Sequence, residues 1–209
     1  MFPWWLRSEA SKLRAVRGAT GDKWAANVQR ALRDKSSSLQ EAAATEILRR
    51  GNAELPAEAV IIMAKRIQVS FNLLDWLPQL IAHASSKNQS VSESAHELLR
   101  QLRGKIPSGP DACPRCGSSS TTEGNATGWR CNGCGLVYKA HSGRNPSIFA
   151  TTGGFRGGPP WKRAETVKLL EEVEQAKGVD DKPGIWWAGC RQRAQELLAE
   201  RRELLRSLE

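Results

Sequence analysis

Cys113-Pro114-Arg115-Cys116-Gly117 and Cys131-Asn132-Gly133-Cys134-Gly135 bracket the stretch whose reading decides the fold. They form two C-x-x-C pairs separated by the fourteen residues 117–130, and they hold four of the five cysteines of the chain. Zinc takes four ligands at tetrahedral corners with Zn–S bonds of about 2.3 Å. One C-x-x-C turn sets two sulfurs on one side of such an ion, and a second turn closes the site. Each pair is followed by glycine, which suits a tight knuckle whose exit residue needs a positive φ. The separation is one residue below the usual lower limit of about 15 for paired zinc turns. The alternatives are two disulfides or a redox motif. Redox pairs come singly and sit beside a βαβ pattern. Here Ser108-Gly109-Pro110-Asp111 precedes the first pair and a Ser/Thr/Gly run follows it. Cys113, Cys116, Cys131 and Cys134 are therefore expected to hold one structural Zn²⁺. Four thiolates leave no coordination position for a catalytic water, so such an ion folds the segment rather than reacting.

The flanks refine this reading. Gly128-Trp129-Arg130-Cys131 and Leu136-Val137-Tyr138-Lys139 read as short strands, with Gly/Ser/Thr/Asn turns between them. The Cys-Pro-Arg-Cys-Gly turn followed by Trp129-Arg130-Cys131-Asn132-Gly133-Cys134-Gly135-Leu136-Val137 resembles the zinc-ribbon family. It is similar to the ribbons of B-type general transcription factors and to the amino-terminal ribbons of several transposases. The resemblance covers residues 112–141 of 209 and implies fold and metal. Ribbons of this family bind nucleic acid in some proteins, and RNA polymerase or other proteins in others.

Charge is unevenly distributed within a net +9. Residues 1–50 carry 10 Lys/Arg against 5 Asp/Glu, and residues 105–165 carry 8 against 3. Residues 51–104 balance at 5 and 5, and residues 166–209 at 8 and 9. A basic excess around the cysteine segment is the footprint of a phosphate-backbone binder. Arg115, Arg130, Lys139, Arg144, Arg156, Lys162 and Arg163 are the expected nucleic-acid contacts. Residues 142–160 hold Arg144, Phe155 and Arg156 among glycines. Glycine lets backbone approach a phosphate, arginine offers a bidentate contact, and an aromatic ring stacks on a base. The competing reading of 142–160 is a linker whose Phe149 and Phe155 tuck against the ribbon.

The rest of the chain reads as helices. Leu6, Leu13 and Val16 lie on one stripe ending at Gly18. Asp22 is the expected N-cap of a helix to about Lys35, with Trp24, Val28, Ala31 and Leu32 inward. Ser38-Leu39-Gln40-Glu41 reads as a capping box that opens a helix stopped by Gly51. Pro56 suits the first turn of a helix carrying Val60, Ile61, Met63, Ala64 and Ile67. Pro78 must kink or restart the apolar stretch 68–85 near Asp75. Ser90-Val91-Ser92-Glu93 reads as a second capping box, ahead of Leu98, Leu99 and Leu102. Beyond Gly178, Trp186-Trp187 opens a helix whose apolar positions run from Ala194 to Leu208. Its Cys190 is expected to be a small buried residue.

The expected fold class is mainly α with a small β zinc ribbon. Its parts are a helical bundle over 1–104, a hinge at 105–111, a ribbon at 112–141, a Gly/Arg-containing loop at 142–160 and a helical hairpin at 161–209. No nucleotide-binding, nucleophile-elbow or metalloprotease motif occurs, and no acidic cluster suits two-metal chemistry, so no enzymatic activity is expected. No run approaches the roughly 18 apolar residues of a membrane span. Thiol usage fits a reducing intracellular compartment. The basic start, residues 1–21, also carries the signature of an organelle transit peptide, although an ordinary amphipathic helix accounts for it. The expected function is DNA binding in a transcription or mobile-element setting. The alternatives are an adaptor on a polymerase or other large complex, and an RNA-binding component of an organelle ribosome.

Overall fold

The computed structural model describes residues 3–50, 54–69, 71–106, 113, 121–124, 128–135, 137–138, 163–176 and 182–207. Helices α1 (Glu9–Gly18), α2 (Gly21–Leu32), α3 (Ser37–Arg50), α4 (Ala57–Arg66), α5 (Leu77–Ala84) and α6 (Gln89–Lys105) precede a small sheet. Helices α7 (Arg163–Gln175) and α8 (Gly184–Ser207) follow it. The chain is thus mainly helical, and among the described residues the strands are confined to that sheet.

Local chemistry sets the helix limits, and in three places it differs from the sequence expectation. Asn88, not Ser90, caps α6: its Oδ1 accepts from the Val91 amide at 3.3 Å, which leaves Ser90 inside the first turn. The Asn88 amide carbonyl already meets an otherwise orphaned N–H, so the Ser90 box has no free helix end to close. Ser36, not Ser38, caps α3 through the Leu39 amide at 3.5 Å, and the Ser38 hydroxyl instead donates to Glu9. Asp22 lies within α2, which begins at Gly21 with φ +55° after Thr20. Pro78 behaves as expected. A 3-10 turn at Phe71–Trp76 ends, and α5 restarts with the proline in its first turn, where a missing N–H costs nothing. Helix α6 runs through Gly104 to Lys105. Gly51 lies outside the described residues, as do the hinge beyond Ile106 and the whole of 142–160.

The apolar stripes meet in one core. Val28, Leu39, Ile47, Met63, Leu77, Leu80, Leu98, Leu99 and Leu102 are buried together with Leu170, Val173, Ala194 and Leu198. Helices α4 and α5 pack on α6, α2 on α1 and α3, α5 on α8, and α7 on both α6 and α8. The carboxy-terminal hairpin therefore shares its core with the amino-terminal helices. Ion pairs reinforce this packing: across the junction Arg103 of α6 reaches Glu171 at 3.4 Å and Glu174 at 3.0 Å, and within the hairpin Arg193 reaches Glu172 at 2.6 Å.

Two polar networks fasten the amino-terminal helices. Buried Glu46 accepts from Arg49 at 2.6 Å and Arg50 at 2.8 Å. Arg50 also donates to the Ala19 carbonyl at 2.8 Å and lies over the Trp24 ring at 4.6 Å, so the end of α3 holds the α1–α2 turn. Asp34 accepts from Lys12 at 2.9 Å, the Ser36 amide at 3.1 Å and Trp4 Nε1 at 3.1 Å. The Lys12 hydrogen bond, ahead of the other donors, holds its carboxyl below the ordinary value of 3.8. Glu46 is likewise held below 4.5, first by Arg49. A folded pKa below the unfolded one means the unfolded chain takes up protons first as pH falls. These two groups are thus expected to leave the melting temperature unchanged from neutrality to about pH 5. It should then fall progressively below about pH 4, through the depressed pKa values. Thermal melts across this range check it, and Asp34→Asn should flatten part of the acid limb.

Candidate metal centre

The sheet is a three-stranded antiparallel meander in the order β1 (Thr121–Gly124), β2 (Gly128–Cys131), β3 (Val137–Tyr138). Its register pairs Thr121 with Cys131 and Glu123 with Trp129, and on the other side Trp129 with Tyr138 and Arg130 with Val137. Strand β1 was not expected, because Thr121-Thr122-Glu123-Gly124 reads as turn. Two β-branched threonines suffice for an edge strand once β2 offers a ladder to pair with. Strand β2 has the expected limits.

The second cysteine pair forms the turn from β2 to β3. Cys131 closes β2, and its carbonyl accepts from the Gly135 amide at 2.8 Å. Gly135 sits at φ +73°, the left-handed conformation that its place after Cys134 predicts. This turn brings Cys134 within 3.7 Å, sulfur to sulfur, of Cys113, although the two are 21 residues apart. The sulfurs of Cys113, Cys131 and Cys134 all lie within 4.8 Å of one another. Cys113 and Cys131 are buried and Cys134 is half-buried. Among the described residues none of the three is in a disulfide.

These distances discriminate between the chemistries. A disulfide needs sulfurs about 2.05 Å apart. A tetrahedron with 2.3 Å metal–sulfur bonds has an edge of about 3.8 Å between sulfurs. The observed 3.7 Å approach matches the tetrahedral edge. Soft thiolates in this arrangement suit zinc or another thiophilic ion. Cys116, the fourth expected ligand, lies outside the described residues. The two described histidines take other roles: His83 Nε2 lies 2.6 Å from the Leu55 carbonyl, and buried His96 packs edge-on to Trp187. Cys190 is buried on α8 beside Arg193, away from the cysteine group, as expected.

Of the expected phosphate contacts, Arg130 is exposed on β2 and Arg163 opens α7. Arg115, Lys139, Arg144, Arg156 and Lys162 lie outside the described residues. One charged residue with a structural role was missed in the sequence. Arg201 on α8 is only 3% exposed and pairs with Asp75 at 2.7 Å. Burial pushes its guanidinium down from the ordinary value, while the charges of Asp75 and Cys113 hold it up. The available signal was its register: Arg201 falls in step with Leu197 and Leu198 before it, where an apolar side chain would ordinarily stand.

Comparisons with protein-family models, with curated proteins and with solved structures return no match. Among the described residues, no helix is long and apolar enough to cross a membrane.

Proposed function

We propose that this chain is a zinc-dependent nucleic-acid-binding protein whose cysteine-bearing sheet is a zinc ribbon that presents cations to a DNA backbone. The observation that carries the reading is the gathering of Cys113, Cys131 and Cys134 within 4.8 Å at the turn of an antiparallel sheet, with Cys113 and Cys134 at the spacing of a tetrahedral edge. Cys116 completes the ligand set, and the ion is structural. Arg130 stands exposed on the strand that ends in Cys131, so metal binding fixes the backbone from which it reaches. Arg115, Lys139, Arg144, Arg156, Lys162 and Arg163 extend the same positive field along the chain. The basic excess supports phosphate recognition, and the ribbon resemblance favours DNA in transcription or mobile-element biology.

Phosphate contacts release counterions, so affinity should fall steeply with salt, by a log–log slope of about −0.9 per contact on duplex DNA. Arg130→Ala is expected to weaken binding about equally across sequences and to reduce that slope by about 1. Titrations of labelled duplexes between about 50 and 200 mM salt measure both effects. Affinity indifferent to salt would overturn the reading. Partners that survive nuclease treatment in a pull-down would point instead to an adaptor on a polymerase or similar machine.

A further inference from the structure

The three gathered cysteines are not equally sheltered. Cys113 and Cys131 are each 1% exposed, whereas Cys134 is half-buried in the β2–β3 turn, among the exposed Asn132, Gly133 and Gly135. A reagent arriving from solution therefore meets Cys134 first. The buried Cys113 sulfur lies 3.7 Å from that of Cys134. A disulfide needs about 2.05 Å, so the two sulfurs reach bonding distance by closing less than about 2 Å.

Metal coordination keeps a thiol deprotonated, and the thiolate is the form that attacks a peroxide. We infer that Cys134 is an oxidation site through which a hydroperoxide opens the centre, with Cys113 as its resolving partner. The inference rests on the reading of the cysteine group as a metal centre. The Cys134 thiolate attacks one peroxide oxygen; the S–O bond forms as the O–O bond breaks, and the other oxygen takes a proton and leaves as water. The Cys113 thiolate then attacks the Cys134 sulfur. The S–S bond forms as the S–O bond breaks, and that oxygen takes a second proton and leaves as water. Two thiolates, one hydrogen peroxide and two protons thus give one disulfide and two waters, the sulfurs losing the two electrons that the peroxide gains. Closure withdraws Cys113 and Cys134 from the ligand set and leaves Cys116 and Cys131. Strands of four, four and two residues do not hold without the metal, so the sheet opens with it. Cys190, 1% exposed on α8, is a built-in control that a reagent meeting exposed sulfur should spare.

The test treats the full-length, zinc-loaded chain with hydrogen peroxide. A chromophoric chelator reads released zinc, and mass spectrometry of unreduced peptides maps the cysteines. Zinc should leave in step with a Cys113–Cys134 disulfide while Cys190 stays reduced, and a thiol reductant with added zinc should reverse both. Cys134→His keeps a donor that zinc accepts and removes the exposed sulfur. Its zinc release should slow by about tenfold or more. Cys131→His replaces a buried sulfur and should release zinc at the wild-type rate. If Cys134→His does not hold zinc, the disulfide map of the wild type decides by itself. Zinc retained under peroxide, a disulfide joining any other pair, or an undiminished rate in zinc-loaded Cys134→His would overturn this inference alone. A purified chain that takes up no zinc would overturn the metal reading and this inference with it.

Discussion

An excess of zinc chelator is expected to abolish nucleic-acid binding and to unfold the three-stranded sheet, while helix content stays near its starting level. The reason is the contrast between the two parts of the molecule. The helices share a continuous buried core. The sheet has strands of four, four and two residues, too short to be stable by pairing alone. Structural zinc contributes about 10–16 kcal/mol of apparent binding energy in comparable small modules, and that energy is their folding energy. Cys131→Ser should reproduce the effect genetically, since it removes a buried thiolate at the end of β2. Far-ultraviolet circular dichroism follows the helices, and hydrogen exchange of the 128–131 amides follows the sheet. Amides that stay protected without metal would refute the zinc-ribbon assignment. Zinc lost with DNA binding retained would move recognition onto the helices.

Trp76→Ala is the substitution expected to cost the helical body most, about 3–5 kcal/mol. Trp76 is 1% exposed and, among the described residues, is the largest of the fully buried side chains. It ends the 3-10 turn from which α5 starts, and α5 packs on both α6 and α8. Truncation leaves a cavity at the start of α5. Against a total stability of about 5–15 kcal/mol for a domain, the denaturant midpoint should fall by about a fifth or more. With eight tryptophans in the chain, circular dichroism is the cleaner probe. An unchanged midpoint would mean that the body does not close around α5.

Much of this was legible because the signals are local. The periods of Val28, Ala31 and Leu32, and of Leu98, Leu99 and Leu102, place those side chains inside before any partner is known. Pro78 restarts a helix because its ring and missing N–H permit nothing else there. Gly135 takes a positive φ because the knuckle after Cys134 requires one. Where two local signals compete, the reading fails. Asn88 and Ser90 both suit an N-cap, and the earlier one wins by reaching the Val91 amide first. Thr121–Gly124 has weak strand character of its own and becomes a strand because β2 is beside it.

The helical character of the chain, the inward stripes and the cysteine spacing that suits a metal all follow from local patterns of residues. Tertiary structure decided which stripes face one another: α8 lies on α5, and Arg201 meets Asp75 across 126 residues. It also decided that Cys113 and Cys134 approach at 3.7 Å. Periodicity is a property of a few neighbouring residues, whereas partner choice depends on shape and charge complementarity between segments far apart in the chain. No local pattern encodes that pairing. It exists only once the competing arrangements have been compared in three dimensions.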